Sequence, residues 1–292
     1  MVDDAVARGA RITRLGSDFR WPGGRHVALT FDVAFEAWSD GKAPSNGPIG
    51  NALLGAGALD TNALSWGHYG AVRGIERLLR TLDRVKLRGN VMVSGVLAER
   101  APDTVKAIAG VGHEIVAHAF AQDVVQATLA PEDDRTQILG TTRILEQVAE
   151  QKPKGWISPR GTPGRDSARH LVELGYQWHG DAFDDDRPYL QAFDDRRIVA
   201  IPLGMEIDDL THALRYGRSP RQFVEAFDDL LAHVLAGETD ALLIDVIAHA
   251  HVYGRPTGAW AYEAIARKVM WRDDVWIATR GEIAAHVLKV IE

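Results

Sequence analysis

Short apolar runs alternate with longer amphipathic stretches along most of the chain. Between the runs, residues 68–87 carry a helical stripe of apolar side chains, while residues 129–151 and 219–235 begin with acids or with a Ser-Pro helix start. This alternation predicts an α/β fold, a deformed (β/α) barrel with about seven parallel strands. The predicted strands are residues 25–32, 89–95, 113–118, 154–158, 175–181, 197–202, 241–249 and 274–279.

One segment interrupts the alternation. Residues 39–65 are rich in Gly, Ser, Asn and Pro, a composition typical of a long loop. A loop after the first strand of a barrel lies at the catalytic face, where it could act as a lid. No linker divides the chain, so residues 1–292 are expected to form a single barrel domain.

The composition of the chain limits the kinds of partner that it is expected to bind. The 292 residues are 46% hydrophobic and 25% charged with a net charge of -7, so no excess of cations favours nucleic acid or an anionic membrane. The chain has no cysteine, which excludes thiolate catalysis and disulfides. No secretory signal and no long apolar span are present, which predicts a cytoplasmic protein with a small-molecule substrate.

Polar side chains gather near the predicted carboxyl ends of the strands, where a barrel places its active site. Asp32 is predicted to end the first strand, with Glu36 four residues later, and His118 to end the third. Arg160 follows the fourth on a turn stiffened by prolines, where it could bind a carbonyl or a carboxylate. Asp32 and Arg160 also have plain structural interpretations, as a loop cap and as a surface arginine.

The sequence DVIAHAHVYGRP contains a His-x-His pair. If the strand continues through it, Asp245, His249 and His251 share one face, and the two imidazoles could bind zinc with a third ligand from elsewhere. That interpretation fails if Gly254 and the following proline end the strand before His251.

Five motifs in order, FDVAFE, AGVGHEIVAH, GWISPRGTPG, GDAFDDDRPYL and HAHVYGRP, resemble the polysaccharide deacetylase superfamily (nodulation-factor deacetylase homology). The resemblance covers about Arg25 to Leu288. Within the superfamily the chain is most similar to the branch of the metal-independent uric-acid-pathway allantoinase and the cyclic imide hydrolases.

The resemblance implies a catalytic base at Asp32, a metal-binding histidine at His118 and a general acid at His249. The second metal-binding aspartate would be at Val33 or Ala34, which cannot bind a metal, and the second histidine at Gln122, which binds zinc poorly. We therefore expect no cofactor. Zinc or another divalent metal remains an alternative, with donors from Asp32, Glu36, His118, Asp123 and His251.

The expected function is hydrolysis of a carbon–nitrogen bond in a small amide, ureide or cyclic imide, as in the allantoinase. Asp32 or Glu36 would activate water, His249 would protonate the leaving nitrogen, and Arg160 would stabilise the oxyanion or anchor an acidic substrate. A deacetylase of N-acetyl sugars and a catalytically eroded ligand-binding barrel are the alternatives. The resemblance implies a homodimer or homotetramer. Further expected substrate contacts are Glu206, Asp209, His251, Trp156 and Trp38, although the acids could form a solvated turn and the tryptophans plain core.

Overall fold

The computed structural model describes residues 9–45, 47–49, 54 and 58–291. Ten strands of this part of the chain form one sheet. They are β1 (Arg11–Arg14), β2 (Val27–Phe35), β3 (Asn90–Val93), β4 (Glu114–Ala117), β5 (Gly155–Trp156), β6 (Trp178–His179), β7 (Tyr189–Phe193), β8 (Arg196–Ala200), β9 (Leu242–His249) and β10 (Val275–Ile277).

Helices follow most of the strands. No helix among the described residues is both long enough and apolar enough to cross a membrane. The α-helices are α1 (Thr61–Tyr69), α2 (Ile75–Arg84), α3 (Gly95–Arg100), α4 (Pro102–Gly110), α5 (Pro131–Ala149), α6 (Ser167–Glu173), α7 (Pro220–Gly237), α8 (Pro256–Val269) and α9 (Arg280–Ile291), with π-helical turns at Gly70–Gly74 and Thr211–Arg215.

The predicted α/β fold with mostly parallel strands is confirmed. Eight strands, β2, β3, β4, β5, β6, β8, β9 and β10, pair in parallel. Strand β7 runs the opposite way and pairs antiparallel with both β8 and β1. The barrel is deformed, since strand pairing does not close it. Between β8 and β9 the sheet is joined by a single bridge, Asp208 with Ile247.

Strand β2 pairs with three other strands, and all nine of its residues are buried. It pairs with β9 along one edge, and with β10 and then β3 along the other. The sequence predicted that this strand ends at Asp32. It continues to Phe35 instead, because the apolar residues that follow extend the strand. Val33 and Phe35 pack against the helices, whereas Ala34 faces the barrel interior.

The helix starts follow the sequence signals. At α7, Ser219 Oγ accepts a hydrogen bond from the Gln222 N–H, and the Gln222 side chain accepts one from the Ser219 N–H, which makes the predicted N-cap a capping box. Helix α5 begins at Pro131 with three acids in its first turn, which complement the helix dipole.

The loop predicted at residues 39–65 is shorter than expected. Helix α1 begins at Thr61, where the Asp60 side chain caps it by accepting a hydrogen bond from Ala63 N at 2.9 Å. Residues 46, 50–53 and 55–57 of this predicted loop lie outside the described residues.

A π-helical turn connects α1 to α2 and packs against the chain that follows β9. A Cβ atom added to Gly74 would lie 1.8 Å from the carbonyl oxygen of Ala250, and one added to Gly254 would lie 2.5 Å from Gly74 Cα. Only glycine allows the two backbones to approach so closely. The turn therefore fixes α1 against the segment that carries His251.

Candidate active site

The carboxyl ends of β2, β4 and β9 face one pocket, with a cavity volume of about 210 Å³. Buried or nearly buried side chains form what we call the pocket floor: Ala34, Glu36, His118, His249 and His251. Exposed side chains form the pocket rim: Arg160, Phe183, Met205 and Arg215. Three side chains that the sequence singled out as acid, base or metal ligand, Glu36, His118 and His249, therefore meet at the floor.

His249 is the last residue of β9 and is held by Asp209. Its Nδ1 donates a hydrogen bond to Asp209 Oδ1 at 2.6 Å, and its backbone N–H donates to Asp209 Oδ2 at 2.9 Å. Burial alone would lower the pKa of His249, but the charges of Asp209 and Glu36 outweigh it and raise the pKa to about 10. Burial raises the pKa of Asp209 to about 6, against the opposing charge of His249. Between these pH values the pair is an imidazolium and a carboxylate.

Glu36 follows the end of β2 and lies among three imidazoles. Burial would raise its pKa, but the charge of His249, a hydrogen bond from His118 and the charge of His251 together lower the pKa to about 2. Glu36 is therefore a carboxylate at neutral pH, 10% exposed at its side chain. An imidazolium proton donor and a carboxylate proton acceptor thus share the floor of one pocket.

His118 comes directly after β4. Its Nδ1 donates a hydrogen bond to the carbonyl oxygen of Ile157 at 2.6 Å, and its Nε2 lies 3.2 Å from Glu36 Oε1. The carbonyl bond fixes the ring orientation and directs Nε2 at the pocket.

His251 lies beyond the end of β9, because that strand ends at His249 and the chain then turns. The shared strand face with His249 predicted from the sequence is therefore absent, yet the side chain still reaches the floor. Its ring contacts Trp66 and Trp38 edge to face, with ring centroids 4.5 Å and 5.5 Å away. Nδ1 lies 3.7 Å from Glu36 Oε2, and burial lowers the pKa to about 4, so the ring is neutral at pH 7.

The donors at the family's metal positions do not fit zinc. Val33 faces the helices, and Ala34 lines the pocket without a donor atom. Gln122 also lines the pocket, but its amide nitrogen donates hydrogen bonds to Ser94 Oγ at 3.0 Å and to the carbonyl oxygen of His118 at 3.3 Å. Only His118 remains as a ligand at these positions, and one imidazole does not make a zinc site.

Within the described ranges, one group of three carboxylate or imidazole donors has its ligand atoms within 4.8 Å of one another: Asp208, Asp209 and His249. Its donors are already engaged, because the Asp209 oxygens accept hydrogen bonds from His249 and from the Tyr253 N–H. The alternative donor set considered from the sequence, Asp32, Glu36, His118, Asp123 and His251, does not gather in this way.

The structure does not bring Asp32 to the pocket. Its carboxylate lies in the barrel interior and accepts hydrogen bonds from Thr30 Oγ1 at 2.8 Å and Asn90 Nδ2 at 2.9 Å. The fully buried guanidinium of Arg280 lies 3.2 Å from Asp32 and 2.7 Å from Asp245. Asp32 is placed so deep because β2 runs three residues further than the sequence predicted.

Of the residues expected to contact the substrate, two line the pocket and three do not. Trp38 and His251 line the pocket. Asp209 lies behind His249 and is fully buried, so it orients the imidazole rather than the substrate. The Glu206 side chain is exposed and does not line the pocket. Trp156 is also outside the lining, because its indole is buried in the core and donates to Ser158 Oγ at 3.0 Å.

Arg160 is on the rim, on the turn that the prolines predicted. Its φ angle is 60°, a left-handed conformation that is unfavourable for a residue with a side chain. Nη2 donates a hydrogen bond to Ser45 Oγ at 2.6 Å, which ties the turn to the loop after β2. Such strain in an ordered turn is typical of functional sites.

Sequence reasoning missed two charged residues that line the pocket, Asp208 and Arg215. The sequence favoured Asp209, the neighbour of Asp208, but Asp208 forms the bridge to Ile247 and lines the pocket, whereas Asp209 begins a helical turn and bonds to His249. Arg215 ends a π-helical turn that no sequence pattern indicated.

Comparison with known proteins supports the resemblance. Residues 68–179 match the Polysaccharide deacetylase family. A protein of Schizosaccharomyces pombe assigned to the polysaccharide deacetylases is 24% identical over 239 residues, which cover 74% of this chain and 73% of that protein.

Two solved structures share the fold. A protein from Mycobacterium smegmatis assigned to the polysaccharide deacetylases has a TM-score of 0.81 at 25% identity, over 96% of both chains. PuuE allantoinase has a TM-score of 0.77 at 22% identity, over 94% of this chain and 93% of that one. Residues 68–179 therefore match a polysaccharide deacetylase domain, and the chain has a barrel-like fold that PuuE allantoinase shares.

Proposed function

We propose that this protein hydrolyses a carbon–nitrogen bond in a small amide, ureide or cyclic imide, with His249 as general acid and Glu36 as the carboxylate that activates water. The match of residues 68–179 to the Polysaccharide deacetylase family supports the broader activity, an amide-type hydrolase. The observation that carries the residue assignment is that an imidazolium and a carboxylate line the floor of one pocket.

In the proposed reaction a water oxygen attacks the carbonyl carbon while Glu36 accepts the water proton. His249 then donates its Nε2 proton to the nitrogen and the carbon–nitrogen bond breaks. A linear substrate gives a carboxylic acid and a separate nitrogen compound, whereas a cyclic imide or ureide gives one ring-opened product that carries both groups. A carboxylate with a pKa of about 2 is a weak base. This pKa is low partly because His249 is charged, so the later loss of the His249 proton raises the pKa of Glu36 and stabilises the proton that Glu36 has taken from water.

We choose Glu36 rather than Asp32 as the base, because Asp32 does not line the pocket and its oxygens are bonded to neighbouring side chains. No step is assigned to a metal, since the side chains at the family's metal positions do not supply the donors. Asp209 serves as the group that fixes the tautomer and orientation of His249.

Pocket size favours a small substrate. The cavity volume of about 210 Å³ lies below the roughly 300–1,000 Å³ that is usual for ligand pockets. The likeness to PuuE allantoinase supports a ureide or cyclic imide, and the family match supports an N-acetyl sugar as the second candidate.

The test is a hydrolysis screen over allantoin, cyclic imides, linear ureides and N-acetyl sugars, with and without added zinc. We expect turnover of one of the first three classes without zinc, and its loss in His249→Ala. The matched control is His233→Ala, because the His233 side chain is 76% exposed and does not line the pocket. Turnover of N-acetyl sugars alone would favour the deacetylase, and no turnover of any compound would favour a ligand-binding barrel.

A further inference from the structure

We propose that the substrate carries an anionic group, and that the guanidinium groups of Arg160 and Arg215 bind this group at the pocket rim. This inference rests on the proposed function, because it assumes that the reacting bond lies at the pocket floor. It narrows the substrate to a small amide, ureide or imide with a carboxylate or a similar anion at its other end.

Arg160 forms no ion pair with a carboxylate among the residues that the structure describes. Its guanidinium donates a hydrogen bond to the neutral hydroxyl of Ser45, which positions the group but leaves its charge unpaired by any described residue. The left-handed turn that carries it is held closely, because a Cβ atom added to Gly161 would lie 2.5 Å from the Phe183 ring. A strained, packed turn that holds an unpaired guanidinium at a pocket is preorganised for an anion.

Arg215 is the second such group. It is exposed, lines the same pocket, and forms no ion pair with any residue in the described part of the chain. Asp208 is a lining acid close to it in sequence, but Asp208 Oδ1 accepts a hydrogen bond from Thr211 N at 2.7 Å instead. Arginine forms paired hydrogen bonds with carboxylates and phosphates, which makes the guanidinium selective for such planar or multidentate anions.

The proposed catalytic side chains and the two arginines lie at different depths in the pocket, which indicates that the arginines bind the substrate and do not take part in the reaction. His249 and Glu36 are on the buried floor, whereas both arginines are exposed on the rim beside Phe183 and Met205, which are 53% and 39% exposed. A group on the rim is poorly placed to stabilise an oxyanion that forms at the floor. Of the two roles that the sequence suggested for Arg160, anchoring an acidic substrate is therefore favoured. The apolar rim side chains would strengthen the contact by excluding water.

The test is a binding comparison at low salt between anions and neutral compounds of the same shape. The probes are N-acetylglycine with N-acetylglycine amide, and benzoate with benzamide, titrated calorimetrically into the wild type, Arg160→Met, Arg215→Met and the double variant. Arg143→Met is the control, because Arg143 is exposed and does not line the pocket.

We expect at least one anion to bind the wild type about tenfold to a hundredfold more tightly than its neutral counterpart, the gain that a charged hydrogen bond gives. Each rim variant should reduce that preference, the double variant should abolish it, and the control should keep it. Equal binding of both members of each pair, no binding of any anion, or a preference retained in the double variant would overturn the proposal.

The binding test does not depend on turnover, so its failure can be told from failure of the proposed function. If the protein prefers anions through the two arginines but hydrolyses no compound, the anion site at the rim stands and the proposed hydrolase activity fails. If the double variant hydrolyses neutral amides at the wild-type rate, the hydrolase activity stands and the anion site fails.

Discussion

Asp209 holds His249 at two points, because its carboxylate accepts hydrogen bonds from both the ring Nδ1 at 2.6 Å and the backbone N–H of the same residue at 2.9 Å. The ring therefore has one orientation, with Nε2 toward the pocket. The negative charge that orients the ring also keeps it protonated.

This pairing predicts the pH dependence of hydrolysis. Asp209 must be ionised, so kcat/KM should rise through pH 6, where its pKa lies. His249 must keep its proton, so kcat/KM should fall through pH 10. In Asp209→Asn the lost charge lowers the pKa of His249, so the alkaline limb should move to lower pH. Asp228→Asn, at an exposed ion pair with Lys268, is the control. An unmoved alkaline limb in Asp209→Asn would contradict the assignment of His249 as the acid.

Glu36→Gln should reduce kcat by about a hundredfold to ten-thousandfold, the usual contribution of a general base. The amide matches the carboxylate in shape but cannot accept the water proton at neutral pH, so circular dichroism should show an intact fold. Glu206→Gln is the matched control, since that side chain is exposed and outside the pocket lining. If Glu36→Gln retained most of the wild-type kcat, another group would have to activate the water.

The double variant Ala34→Asp with Gln122→His should bind zinc. Both positions line the pocket beside His118, whose Nδ1 is already held by the Ile157 carbonyl, so its Nε2 is oriented for a metal. Metal analysis after dialysis should find about one zinc ion per chain in the double variant and far less in the wild type or either single variant. Stoichiometric zinc in the wild type would show that its own donors do suffice.

Arg280→Met should destabilise the fold by about 3–5 kcal/mol, because it leaves the carboxylates of Asp32 and Asp245 buried without their cation. Burial raises the pKa of Asp245 to about 6, and removing Arg280 should raise it further. The variant's deficit in unfolding free energy should therefore be smaller at pH 5 than at pH 8. Urea denaturation at pH 5 and at pH 8 measures the unfolding free energy of each protein. The control variant Arg143→Met should have an unfolding free energy within about 0.5 kcal/mol of the wild type. A similar small effect for Arg280→Met would mean that the cluster is hydrated.

The eight parallel strands could be predicted because a strand buried on both faces appears as a continuous apolar run. Strands β1 and β7, which pair antiparallel with each other, were missed: β1 is RITR, with mostly exposed side chains, and gives no such signal. Glu36, His118 and His249 could be found because they come at or just after strand ends. Asp32 was misplaced by an error of three residues at one strand end. The partnership of Asp209 with His249 joins residues 40 positions apart, which no local pattern encodes.

The π-helical turn Gly70–Gly74 contacts the backbone around Ala250, and this contact limits how the pocket can be redesigned. Any side chain at position 74 or 254 would drive apart two backbones that touch. Trp66, on the helix before this turn, and His251, on the segment against it, therefore keep one fixed spacing. The range of substrates can therefore be changed by substituting Trp66 or Trp38, but not by changing the orientation of the helix that carries Trp66.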